Sequence, residues 1–196
     1  MRASRSPLVL ILPGLGGSGP EHWQTRWEKL YERHRRVVQR DWDHPDRAAW
    51  LAAIEAAIVD AGEPVVLVAH SLGCALVAHA AAGPSAARVR AALLVAPADV
   101  DSPVSTPAET HVFAPLPLAR LPFPATVVAS ETDPYVTLDR ARAFAAAWGA
   151  ELVDAGRGGH LNADSGLGAW PAGRVIFEAL LVRAGAVLPL QEPPFG

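Results

Sequence analysis

The chain has a single cysteine, Cys74, in 196 residues. It has no disulfide framework and no cysteine cluster for a metal, and a reducing, cytoplasmic setting fits. Long apolar runs are missing too. The run nearest the N-terminus, Leu8 to Leu12, stops at Pro13 and Gly14, too short for the apolar region of a signal peptide. No stretch approaches the roughly 20 apolar residues of a membrane-spanning helix. Charge is neither plentiful nor sorted: charged residues make up 19%, the net charge is −3, and the basic residues are scattered. This argues against a nucleic-acid footprint and against a polybasic membrane anchor. No His, Asp or Glu cluster has metal-ligand spacing, and the glycine-rich run at 14–19 lacks the lysine and Ser/Thr of a P-loop. Neither a metal nor a cofactor is expected, and the expected partner is a small molecule.

What is present is a regular alternation of apolar runs and amphipathic stretches, with no internal repeat. The length suffices for one sizeable core but not for two ordinary domains, so one domain over 1–196 is expected. Leu8–Leu12 reads as a strand buried on both faces. Trp23, Trp27, Leu30 and Tyr31 recur at helical spacing and should cover a sheet. A weaker strand over Arg36–Arg40, centred on Val37 and Val38, suits a sheet edge. Trp50, Ile54, Ile58 and Ala61 mark a helix that runs from Asp46 to Gly62. Val65–Ala69 is a third strand, Leu72–Ala82 an alanine-rich helix, and Ala91–Ala96 a fourth strand. Residues 97–124 carry seven prolines and little periodicity, and so long a connection is usually functional. Ala125–Ser130 and Glu151–Asp154 are the fifth and sixth strands, with a helix stripe of Leu138, Ala141, Phe144 and Trp148 between them. Pro171–Arg183 is the last helix, and 185–196 reads as a surface arm. This pattern predicts a three-layer α/β/α sandwich on about six mainly parallel strands.

In such sheets chemistry gathers where the strands end. The third strand breaks at Ser71 within Ala69-His70-Ser71-Leu72-Gly73, one residue away from the nucleophile elbow G-x-S-x-G, with Ala69 at the first glycine. A serine on that corner projects above the sheet while the next helix aims its first N–H groups at the same spot. A hydroxyl is a poor nucleophile at neutral pH and needs a base, and the base needs an acid to fix its tautomer. Of seven histidines, only His160 lies in a glycine-rich loop after the last strand. Asp133, after the fifth strand, is the preferred acid, with Asp99 and Asp101 as runners-up. The order Ser71, Asp133, His160 is that of α/β-hydrolases. Two backbone N–H groups, of Leu15 after the first strand and Leu72 at the head of the helix, are the candidate oxyanion donors. A competing reading takes Gly14, Gly16 and Gly19 as G-x-G-x-x-G, with Asp41 beyond, for a dinucleotide. It gives Ser71, Asp133 and His160 no work, and Pro13 and Pro20 disturb its turn.

The AHSLG, SETDPYV and GRGGHLNADSGLG segments, with PGLGGSGPEHWQTRW, make the chain resemble the small serine hydrolases of the YdeN and retinoblastoma-binding-protein type. The resemblance spans nearly the whole chain. It implies a minimal, lidless α/β-hydrolase fold with strand order 2-1-3-4-5-6. It also implies Ser71 as nucleophile, Asp133 as acid and His160 as base. The expected activity is cleavage of small acyl esters, thioesters or amides through an acyl-enzyme. The shallow pocket is expected to be framed by the proline-rich loop, with Phe113, Leu116 and Leu161 as apolar walls. The alternative is a binding or scaffold protein that keeps the fold without turnover.

Overall fold

Leu8, Leu10 and Leu12 belong to one apolar cluster and Val9 and Ile11 to another, because successive side chains of a strand point to opposite faces. All five residues of this strand, β1 (Leu8–Leu12), are buried, and the same holds for β3 (Val65–His70) and β5 (Ala125–Ala129). Burial on both faces requires a layer on each side. The computed structural model, which describes residues 6–186, supplies both. Helices α2 (Arg47–Asp60), α3 (Leu72–Ala80) and α4 (Leu138–Trp148) pack on one face through Trp50, Ile54, Leu76, Phe144 and Trp148. Helices α1 (Trp23–Leu30) and α5 (Pro171–Arg183) pack on the other through Trp23, Trp27, Phe177 and Leu180.

The sheet has six strands in the order β2-β1-β3-β4-β5-β6, where β2 is His34–Arg36, β4 Val89–Val95 and β6 Glu151–Asp154. Every pairing is parallel. The strands therefore end along one edge, which carries the loops after β1, β3, β5 and β6. This is the minimal α/β-hydrolase architecture, with the strand order that the resemblance implied. No helix among the described residues is long and apolar enough to cross a membrane.

Several boundaries differ from the sequence reading. The edge strand β2 pairs through His34, Arg35 and Arg36 with Val9, Leu10 and Ile11, not through a segment centred on Val37 and Val38. Val37 still donates its N–H to Ile11 O and is buried, whereas Val38 is 70% exposed. Register with β1 thus outweighs the β preference of the two valines. Leu30 does not cover the sheet and is 58% exposed; the helix stops there, and Tyr31 closes it by donating its N–H to Trp27 O. Helix α3 ends at Ala80, two residues early, and β4 begins at Val89. The proline-rich connection contains a short 3-10 turn, Ala108–Phe113, held to α3 by a 2.7 Å contact from His79 Nε2 to Phe113 O. The arm expected over 185–196 lies, from residue 187 on, outside the described residues.

Candidate active site

Ser71 caps α3 with φ 54° and ψ −121°, a conformation that L residues rarely adopt. Such strain costs on the order of 1–3 kcal/mol and persists only where the surroundings enforce it. They do so on both sides, since Ser71 N–H donates to Val95 O at 3.0 Å and Cys74 N–H to Ser71 O at 2.9 Å. Two glycines let the β1 loop press against this corner. A Cβ on Gly14 would lie 2.9 Å from Ser71 Cβ and 3.0 Å from Leu72 N, and one on Gly73 would overlap the Leu12 carbonyl oxygen. Ala69 needs no such freedom, because it sits inside β3 between Leu12 and Leu94. The substituted glycine leaves the turn intact.

Asp133 and His160 meet across the ends of β5 and β6. His160 Nδ1 lies 2.9 Å from both carboxylate oxygens of Asp133, whose side chain is fully buried. That contact places the Nδ1 proton toward the acid and leaves Nε2 as the basic nitrogen. The two loops are laced around the pair. Ser130 Oγ donates to Gly156 O and accepts from Gly158 N–H, while Gly159 N–H donates to Thr132 Oγ1. Asp133 itself accepts from Tyr135 N–H.

Ser71 and His160 line one cleft of about 260 Å³, together with Leu15, His22, His70 and Tyr135. No hydrogen bond joins Ser71 to His160 here; such contacts commonly tighten only with substrate bound. Gly16 N–H is taken by Trp42 O, and a Cβ on Gly14 would lie 3.0 Å from Leu72 N, so the β1 loop abuts the head of α3; the N–H groups of Leu15 and Leu72 remain the candidate oxyanion donors. The set has parts that acyl transfer uses: a strained serine, an oriented imidazole and a buried carboxylate beside one cleft.

The serine hydrolase family model matches residues 9–179. The chain belongs to the serine hydrolase family. This hydrolase is 31% identical to a YdeN-like hydrolase from Pectobacterium atrosepticum, with a TM-score of 0.79 over 90% of this chain and 91% of that one. The ydeN product of B. subtilis is 18% identical, with a TM-score of 0.70 over 89% of this chain and 98% of that one. Est1E from Butyrivibrio proteoclasticus is 16% identical, with a TM-score of 0.68 over 95% and 91%. These last two share the fold. No curated protein matches the hydrolase by sequence.

The other candidates are occupied elsewhere in the hydrolase. Asp99 forms a bidentate pair with Arg140, which also holds Asp101. The G-x-G-x-x-G run opens no α-helix: it holds a 3-10 turn, Leu15–Gly17, and α1 begins only at Trp23, capped by the His22 ring. Asp41 caps a local turn by accepting from Asp43 and His44 N–H. The three expected apolar walls are corrected. Phe113 is fully buried against Trp50 and His79, Leu116 lies in the core below the loop, and Leu161 packs with Trp170 and Phe177 on the other face. Apolar side chains of that size gain more by completing the core than by facing a wet cleft. The proline-rich loop instead presents Ala98, Thr106, Pro107 and Thr110 to the cleft.

Sequence reasoning missed the residues that hold the His160 loop. His70 Nε2–H donates to the His160 carbonyl at 2.9 Å, and Trp23 Nε1–H donates to the Leu161 carbonyl at 2.8 Å. Burial pushes the His70 imidazolium pKa well below its ordinary value, with His160 and His22 adding to the shift, so the ring stays neutral. His22 is lowered to about 4, again chiefly by burial. The turn at Ser71 sends His70 away from the serine but onto the neighbouring loop, with its ring centroid 4.8 Å from that of His160. Gln24, buried beneath the glycine loop, donates to Leu12 O and Val68 O and accepts from Ser18 Oγ. The only sequence signal for these residues was an unexplained polar group inside apolar surroundings.

Proposed function

We propose that this hydrolase cleaves small acyl esters, or related thioesters and amides, through an acyl-enzyme on Ser71. The observation that carries this reading is the imidazole of His160, bound to a fully buried Asp133 and sharing a cleft with a serine on a strained corner. Ser71 Oγ attacks the carbonyl carbon while His160 Nε2 takes its proton. Asp133 keeps the Nδ1 tautomer and stabilises the imidazolium. The N–H groups of Leu15 and Leu72 receive the oxyanion. As the acyl C–O bond breaks, His160 returns the proton to the leaving oxygen, and a water repeats the cycle on the acyl-enzyme.

Small acyl groups suit a cleft of about 260 Å³ whose lining includes Gly16, Gly19, Ala98 and Thr110 and no large aliphatic side chain but Leu15. Labelling with a fluorophosphonate probe tests the reading. Wild type should be labelled and Ser71→Ala should not. Equal labelling of the two removes the assignment. An unlabelled wild type that also turns over no ester favours a binding protein built on the hydrolase fold.

A further inference from the structure

A second depression, of about 440 Å³, adjoins the cleft and shares Tyr135, His160 and Asn162 with it, but not Ser71. Its other walls carry Arg157 and Asp164, both exposed. Among the described residues neither takes part in an ion pair, with the other or with any third group. The Asp164 backbone N–H is capped by Asn162 Oδ1, and the Arg157 loop is pinned where Gly158 N–H meets Ser130 Oγ. Both charges are thus carried on fixed backbone beside His160.

The chemistry of acyl transfer says what this position faces. Once the Ser71 Oγ–carbon bond has formed, the leaving oxygen must lie within hydrogen-bond reach of His160 Nε2, which supplies its proton as the acyl C–O bond breaks. If the acyl group occupies the Ser71 cleft, a leaving group that extends past His160 enters the second depression. A plain anion there would gain from Arg157 and lose to Asp164, and a plain cation the reverse. A group with both charges gains from each.

On the reading that Ser71 and His160 carry the reaction, we infer that this depression is a leaving-group subsite for a zwitterionic alcohol of the hydroxy-amino-acid kind. Its carboxylate pairs with Arg157 and its ammonium with Asp164. Exposed pairs of this sort change an equilibrium by up to about fivefold each and weaken as salt rises.

The test compares kcat/KM for O-acetyl-L-homoserine with that for butyl acetate, which has a neutral leaving group. Wild type should favour the zwitterionic ester by about tenfold at low ionic strength. Arg157→Gln and Asp164→Asn should each narrow that ratio about three- to fivefold, as should added salt, with unfolding midpoints at the wild-type value. A wild-type ratio near one, or a ratio that neither substitution moves, overturns the subsite while leaving the Ser71 reading standing. If wild type hydrolyses neither ester, fluorophosphonate labelling of Ser71 decides whether the nucleophile reading stands, and calorimetry with free homoserine decides whether the depression binds the zwitterion. Binding that is weakened in both variants supports it, and no binding to wild type overturns it.

Discussion

Gly14→Ala isolates the contact between the glycine loop and the Ser71 corner. Gly14 has φ −90° and ψ −156°, a conformation open to alanine, so the substitution introduces no backbone strain. What it introduces is a methyl group 2.9 Å from Ser71 Cβ, 3.0 Å from Leu72 N and 3.1 Å from His70 O. Carbon atoms rest at about 3.5–4 Å, so the loop and the corner must part by roughly 0.5–1 Å. Overpacking of this kind costs about 1–3 kcal/mol of stability. Oxyanion donors must lie about 2.7–3.1 Å from the developing charge, and the loss of one costs about 10²–10³ in kcat. Gly14→Ala should therefore lower kcat on a short-chain ester at least about a hundredfold, in a protein that still unfolds cooperatively. Gly16→Ala is the contrast: its Cβ meets nothing within 4 Å but sits at φ +74°, so its cost is about 1–2 kcal/mol of strain. Steady-state kinetics beside thermal unfolding separates the two effects. If Gly14→Ala keeps kcat within a few-fold of wild type, the loop does not hold an oxyanion donor against Ser71.

Other substitutions probe the remaining parts. Asp133→Asn should cost about 10⁴ in kcat by presenting the wrong tautomer of His160, whereas Asp99→Asn, which only loosens Arg140, should stay within about tenfold; the reverse ranking in kcat would transfer the acid role to Asp99. His70→Phe should lower kcat about tenfold or more with little change in KM, because the His160 carbonyl loses its donor, and His70→Gln should recover part of the loss; equal kcat in the two variants would show that the hydrogen bond does not position the base. Burial holds His22 and His34 at about 4 and about 3, and lowers His70 as well. The unfolded chain therefore binds more protons below the ordinary value of 6.5, and stability present above that pH is lost as pH falls toward 4, by about 1.4 kcal/mol per pH unit for each histidine. Urea titrations at pH 7.5 and 5 should show a drop of several kcal/mol, and His34→Gln should reduce it; an unchanged stability would contradict the neutral burial of these rings.

The layers were legible because apolar runs and helical stripes obey fixed periods, whereas the strand order came only from the resemblance. Leu8–Leu12, Glu151–Asp154 and Pro171–Arg183 fall where those periods place them. The edge strand was not, since His34 to Arg36 carry no strand signal and are recruited by pairing with β1. At the site, Ser71, Asp133 and His160 stood out as candidates because each interrupts or follows an apolar run, and the structure brings Asp133 and His160 into contact. The proposed roles of Leu15 and Leu72 rest on the same corners. The pocket walls were misread for a physical reason: nothing local tells whether Phe113 in a proline-rich loop faces solvent or folds back onto Trp50. His70 and Trp23 act through hydrogen bonds to carbonyls some 90 and 138 residues away. Contacts of that span leave no trace in local pattern.

The acyl-enzyme can be caught directly by mixing the protein with 4-nitrophenyl acetate, quenching in acid within the first turnover, and mapping the adduct by peptide mass spectrometry. Wild type should carry one acetyl group on the peptide containing Ser71, and Ser71→Ala should carry none. An acetyl group on any other residue, or the same adduct in Ser71→Ala, would contradict the assignment of Ser71 as the nucleophile.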